Sequence, residues 1–174
     1  MIARRLVVLI LVLLSPAVMA ADAADRAFAD ATDAFEAALP RIGKTLFGVD
    51  VADYRDALTL RRFSSSHWGG TVSLAVTSPA SANGDCGRFA AYVTIPPRNG
   101  VATLVLCPQF HRDGTDSLRR LTILHELVHV VAGADECRAM AFAARIETLA
   151  TGRHTPVDRY WTANGCAGSA FSLP

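Results

Sequence analysis

Between Leu121 and Val131 the chain reads LTILHELVHVV, an apolar run broken only by Thr122, His125, Glu126 and His129. A helix of this composition has no polar face wide enough to lie against water, so it is expected to be buried on most sides. It must then bury two imidazoles and a carboxylate, and an ionised carboxylate in an apolar interior is costly unless something compensates it. Either the histidines bond to backbone carbonyls and Glu126 pairs with an arginine, or a cation sits among them. The spacing favours the cation. On a helix His125 and His129 lie one turn apart on the same face, which brings two imidazole nitrogens to one tetrahedral zinc ion. Glu126 is rotated out of direct ligation yet within reach of a water at the metal.

A catalytic zinc takes three protein ligands and keeps one position open. The helix is expected to start from a cap at Asp116 or Ser117 and to stop at Gly133. After Ala132-Gly133-Ala134, where glycine lets the chain reverse, Asp135 and Glu136 open a further helix reaching about Thr151. With Asp135 as N-cap, Glu136 falls in the first turn and can face back to the metal. The expected set is therefore one Zn²⁺ per chain on His125, His129 and Glu136, with Glu126 as general base. Asp135 is the alternative third ligand, and Glu147 a remote one.

The N-terminus is read separately. Arg4 and Arg5 precede the apolar stretch Leu6 to Leu14, and Ala17-Val18-Met19-Ala20 is a small-residue cleavage pattern. This predicts a signal peptide over residues 1–20, cut near Ala20/Ala21, and a secreted or periplasmic mature chain. The apolar core is too short for a membrane span. The remainder, residues 21–174, is of a size for one domain. Four cysteines in an exported chain predict two disulfides rather than a zinc ribbon, since no Cys-x-x-Cys occurs.

Elsewhere the pattern predicts helices over Asp22–Leu39 and Val51–Phe63, and strands over Thr71–Thr77, Arg88–Ile95 and Val101–Cys107. Asn99-Gly100 marks a hairpin between the last two. Folding that hairpin brings Cys86 and Cys107 nearly opposite each other, so the favoured pairs are Cys86–Cys107 and Cys137–Cys166, the second tying down a largely irregular tail. His67 and His111 sit in loops and are expected to be solvated rather than functional. A formal charge of +1 with scattered basic residues leaves no footprint for nucleic acid. No Gly-x-Ser-x-Gly or activated cysteine supports a serine or cysteine hydrolase.

The run ATLVLCPQFHRDGTDSLRRLTILHELVHVVAGADE resembles the zincin metallopeptidases, nearest to the deuterolysin and lysine-specific metalloendopeptidase (aspzincin-like) group. Leu106-Cys107-Pro108-Gln109-Phe110, a loop and then His125 to His129 follow that family's order. The resemblance implies an α+β, zincin-like domain, with a small antiparallel or mixed sheet packed on the His-Glu-x-x-His helix. It implies hydrolysis of peptide bonds in a peptide or protein substrate by a zinc-activated water. It also supports Cys86–Cys107, and it aligns Gly133-Ala134-Asp135-Glu136 with the family's third-ligand motif, which puts Glu136 at the ligand position. Substrate is expected to lie along Val101 to Cys107 as an edge strand. Where the family has an oxyanion-steadying tyrosine this chain has Ala139, so Tyr160, Tyr92 or His154 must substitute. Failing that, the domain is a non-catalytic peptide-binding module with a structural zinc.

Overall fold

The computed structural model describes residues 16–112 and 114–174. The expected signal peptide lies outside the described residues except for 16–20, which belong to the first helix. In chain order the elements are α1 (Pro16–Ala38), β1 (Thr45–Leu46), β2 (Val49–Asp50), α2 (Val51–Leu60), β3 (Arg62–Ser64), β4 (Thr71–Thr77), β5 (Ala91–Arg98), β6 (Val101–Leu106), α3 (Pro108–Arg112), α4 (Asp116–Ala132), α5 (Glu136–Thr151) and α6 (Asp158–Ala163). The class is α+β, as the sequence implies.

Four strands form one mixed sheet in the order β3-β4-β6-β5. β3 pairs antiparallel with β4, β4 parallel with β6, and β5 antiparallel with β6. The expectation that Val101–Cys107 forms an edge is therefore wrong. β6 is interior, hydrogen-bonded on both sides, and cannot receive another strand. Its buried residues, Ala102, Leu104, Val105 and Leu106, suit that position. β5 is the edge instead. Cys107 N–H donates to the Ala90 carbonyl at 2.9 Å, so by alternation Tyr92 and Thr94 aim their backbone groups at β6. Ala91, Val93 and Ile95 aim theirs outward.

The hairpin turn is Asn99-Gly100, with φ of 51° and 73°, which closes the Arg98↔Val101 pair as a primed turn. β5 begins later and ends later than expected, running through Pro96-Pro97 to Arg98. An edge strand tolerates prolines because half its N–H groups have no ladder partner, and the register shifts between Thr94 and Arg98 where they sit.

Other boundaries move for local reasons. α2 stops at Leu60 because Arg61 takes a left-handed conformation, φ 56° and ψ 21°, and Phe63 is buried from β3 rather than from the helix. α4 is capped by neither Asp116 nor Ser117. Thr115 accepts the Leu118 N–H at 3.2 Å. The connection after β6 contains the short helix α3.

The main core lies where α1, α2, α4 and α5 meet one face of the sheet. Tyr54 is at its centre, its ring 4.9 Å from Phe35 and 4.6 Å from Phe142. The disulfide Cys86–Cys107 pins the chain entering β5 to the end of β6, inside a small second cluster with Val105 and Tyr92. Cys137–Cys166 ties the start of α5 to the tail. Both pairings are those the sequence favours. Among the described residues no helix is long and apolar enough to cross a membrane.

Candidate metal centre

α4 is held at both ends of its histidine turn. The Tyr54 hydroxyl donates to the Leu124 carbonyl at 2.8 Å, and the Trp68 indole N–H to the Val130 carbonyl at 2.7 Å. Both bonds fix the height and rotation of the helix segment that carries His125, Glu126 and His129, each of them buried.

The chain then reverses at Gly133, whose φ of 86° and ψ of −171° favour glycine. A Cβ there would also lie 2.9 Å from the His67 Nε2. The Gly133 carbonyl takes a hydrogen bond from the His129 Nδ1 at 3.0 Å. A carbonyl can only accept, so Nδ1 carries a proton: the charged ring gives its second proton from Nε2 to Glu136, and the neutral ring turns its Nε2 lone pair to the centre, the usual outer-shell device for a histidine ligand. Asp135 caps α5 by accepting the Arg138 N–H at 2.9 Å, so its carboxylate is engaged away from the histidines. Glu136, one residue on, turns back to them.

His125 Nε2 and His129 Nε2 are 3.1 Å apart, and the Glu136 carboxylate lies 3.2 Å from the first and 3.5 Å from the second. Around a zinc ion with ordinary ligand distances, the edges of a tetrahedron are about 3.3 Å. Donor types and separations therefore fit a divalent ion, and the buried His125 and His129 with the half-buried Glu136 could hold one.

Electrostatics in the cluster are consistent with that use. Burial pushes the Glu136 carboxyl upward, but hydrogen bonds from both histidines outweigh it and hold the group well below the usual carboxylate range. Burial likewise lowers His129, and its bonds to Glu136 and Gly133 raise it above the ordinary value on balance. Glu126 goes the other way. Desolvation lifts it, the two histidines oppose that, and Glu136 adds to the rise.

Of the three oxyanion candidates, Tyr160 is the one beside the cluster. Its hydroxyl reaches Glu136 at 3.5 Å and its ring centre is 6.2 Å from that of His125. Burial and the nearby Glu136 and Glu126 charges push it up to about 12, so it stays protonated. Tyr92 is on β5 and lines only a smaller neighbouring recess. His154 is turned to Thr148, 3.3 Å away. Glu147 is fully buried and belongs to Arg120, 2.7 Å away, and to the Thr155 N–H. His111 bonds Ser78, and His67 packs on Trp68 beside the α4–α5 joint. The anchoring roles of Tyr54 and Trp68 had no sequence signal beyond their being aromatic.

Comparison of the chain with protein-family models, with curated proteins and with solved structures gives no match.

Proposed function

We propose that the chain is an exported, zinc-dependent, zincin-like metallopeptidase, with His125, His129 and Glu136 as ligands and Glu126 as general base. The observation that carries this reading is a buried carboxylate of raised pKa standing beside a three-donor group of tetrahedral dimensions. A structural site has no use for the fourth group. Two imidazoles and one carboxylate with a position to spare are the donor set of catalytic zinc. Export is supported by the two disulfides and by the leader pattern at residues 1–20.

When bound, zinc supplies Lewis acidity that acidifies water and polarises a peptide carbonyl. Glu126 takes the proton of the attacking water and later gives it to the leaving amine, and its burial suits it to hold a proton between the two steps. The Tyr160 hydroxyl, protonated throughout the physiological range, donates to the oxygen that gains charge. The outward groups of Ala91, Val93 and Ile95 hold the substrate extended by adding a strand to β5. The ground for a non-catalytic module was the absence of a tyrosine at Ala139, and Tyr160 weakens it.

Metal analysis with a peptide-cleavage assay tests the reading. Wild type and Glu126→Gln should each carry about one zinc, Glu136→Ala should lose it and Asp135→Ala should keep it. Glu126→Gln should turn over about 100-fold more slowly, or worse. A wild type that takes up no divalent metal after reconstitution would remove the proposal.

A further inference from the structure

Arg138 stands where its own helix does not favour it. Asp135 caps α5, so Arg138 falls in the first turn, at the positive end of that helix's dipole. A cation there works against α5. Its Nε is also buried with no hydrogen-bond partner among the described residues, and an N–H left in that state is costly. Local rules broken twice at one residue are a mark of function.

The compensation lies on α4. Ala132 is the last residue of that helix, so its carbonyl has no donor within the helix. The Arg138 Nη1 donates to it at 2.9 Å, and a positive charge suits a helix C-terminus. The same residue is tied to the far side of the joint. Its backbone N–H donates to the Asp135 Oδ1 at 2.9 Å, and its Nη2 lies 3.9 Å from the Asp135 Oδ2. Water is largely kept off these contacts. The side chain is 26% exposed, and its guanidinium carbon lies 5.7 Å from the centre of the Phe171 ring, which packs edge-on against Phe47.

Between the two anchors run Gly133, Ala134, Asp135 and Glu136. Two of these address the metal centre, Gly133 through the carbonyl that bonds the His129 Nδ1 and Glu136 through its carboxylate. Neither helix fixes both groups, because α4 has ended before the first and α5 has barely begun at the second. Resting on the metal-binding part of the function proposed above, and not on peptide hydrolysis, we propose that Arg138 is a positioning residue for zinc. By fastening the end of α4 to the start of α5, it holds the Glu136 carboxylate and the Gly133 carbonyl in place against the two histidines. It acts through the joint rather than on the ligands.

The sign of the effect separates this role from others. A positive charge near a metal site repels a divalent cation, so its removal alone tightens zinc binding. A residue that serves only overall stability leaves the affinity of the folded protein where it was. Lost geometry weakens zinc binding in a protein that is still folded.

Zinc affinity is measured by chelator competition on wild type, Arg138→Lys and Arg138→Met, at a temperature where circular dichroism shows each metal-free protein folded. Amide hydrogen exchange is followed on the same metal-free samples. Arg138→Met is expected to bind zinc about tenfold more weakly or worse, the scale of a lost outer-shell partner. Arg138→Lys keeps a donor for the Ala132 carbonyl but not the planar fork, and should fall between the two. The Gly133 and Ala139 amides, bonded to the His129 and Asp135 carbonyls, should exchange about tenfold faster or more in Arg138→Met, while Leu124 and Leu127 in mid-α4 change far less. Unchanged or tighter zinc binding, or exchange that is unchanged at the joint or rises equally throughout, would overturn the inference. If Arg138→Met does not fold, Arg138→Lys decides by the same readouts: weaker zinc with faster exchange at the joint upholds the inference, and wild-type values overturn it. A wild type that binds no zinc defeats the proposed function instead, and exchange then judges Arg138 alone: acceleration confined to the joint upholds it as the clamp of that joint, and its absence overturns it.

Discussion

Glu126 works against the stability of the protein that carries it. A carboxyl whose folded pKa is raised by burial binds its proton more tightly in the folded state, so it favours folding below its unfolded pKa, and that contribution is lost as pH rises through the folded value. Above that value the folded state holds a desolvated charge, which positive charge on the neighbouring histidines would offset and Glu136 aggravates. Glu136 has the opposite sign. Its depressed pKa lends stability above the unfolded value of about 4.3, lost as pH falls through the folded value. Metal-free Glu126→Gln is accordingly expected to be more stable than metal-free wild type by about 1 kcal/mol near pH 8, the order of one unmet buried polar group. The advantage should vanish near pH 4, where the native glutamate is itself protonated, and shrink on adding zinc. Urea unfolding at the two pH values measures it, and a variant no more stable near pH 8 would contradict the account.

α4 and α5 are joined by more than apolar packing. Arg120 gives two hydrogen bonds to one Glu147 oxygen, at 2.9 and 2.7 Å, and the other oxygen takes the Thr155 N–H at 2.7 Å. Glu147 is fully buried, so Arg120→Ala leaves its charge with no counter-ion and only the Thr155 N–H as partner, and should cost about 3 kcal/mol. Replacing both with methionine should cost much less. Denaturation of the single and double variants decides it, and equal losses in the two would argue against an uncompensated charge. This tie also shows what the sequence could and could not disclose. α4, the Asn99-Gly100 hairpin and both disulfides were legible because each is written in a short window: an apolar period, a turn dipeptide, an even cysteine count. The parallel β4–β6 pairing that makes β6 interior joins segments with β5 between them, and no local pattern encodes it. The Arg120–Glu147 partnership joins two helices and is equally silent, which is why Glu147 was open to being read as a remote ligand. Of the site, the histidines and Glu126 were readable from spacing, whereas Glu136 was favoured over Asp135 only by the helix-cap preference and the family resemblance. Tyr160 was one tyrosine among three.

At the scale of the whole molecule the main core draws on α1, α2, α4, α5 and the sheet, while α6 has its principal contacts with the turn that follows it. That turn holds Cys166, which is bonded to Cys137 beside Glu136. One covalent bond thus keeps Tyr160 over the metal centre, closing a separation of 29 residues whose loss should release roughly 3–4 kcal/mol of chain entropy in the unfolded state. Cys166→Ser is expected to keep the main fold and at least part of its zinc, but to lose turnover about tenfold or more, the scale of one mispositioned group. Metal content and kcat measured on the same sample check this, and full activity without the bond would refute it. The consequence is one of timing. A chain still in reducing surroundings carries His125, Glu126, His129 and Glu136 on an assembled core, but not an α6 fastened by that bond. On the proposed peptidase reading, hydrolysis would then begin only after oxidation, and a cell exporting the protein would be spared its activity until the protein had left.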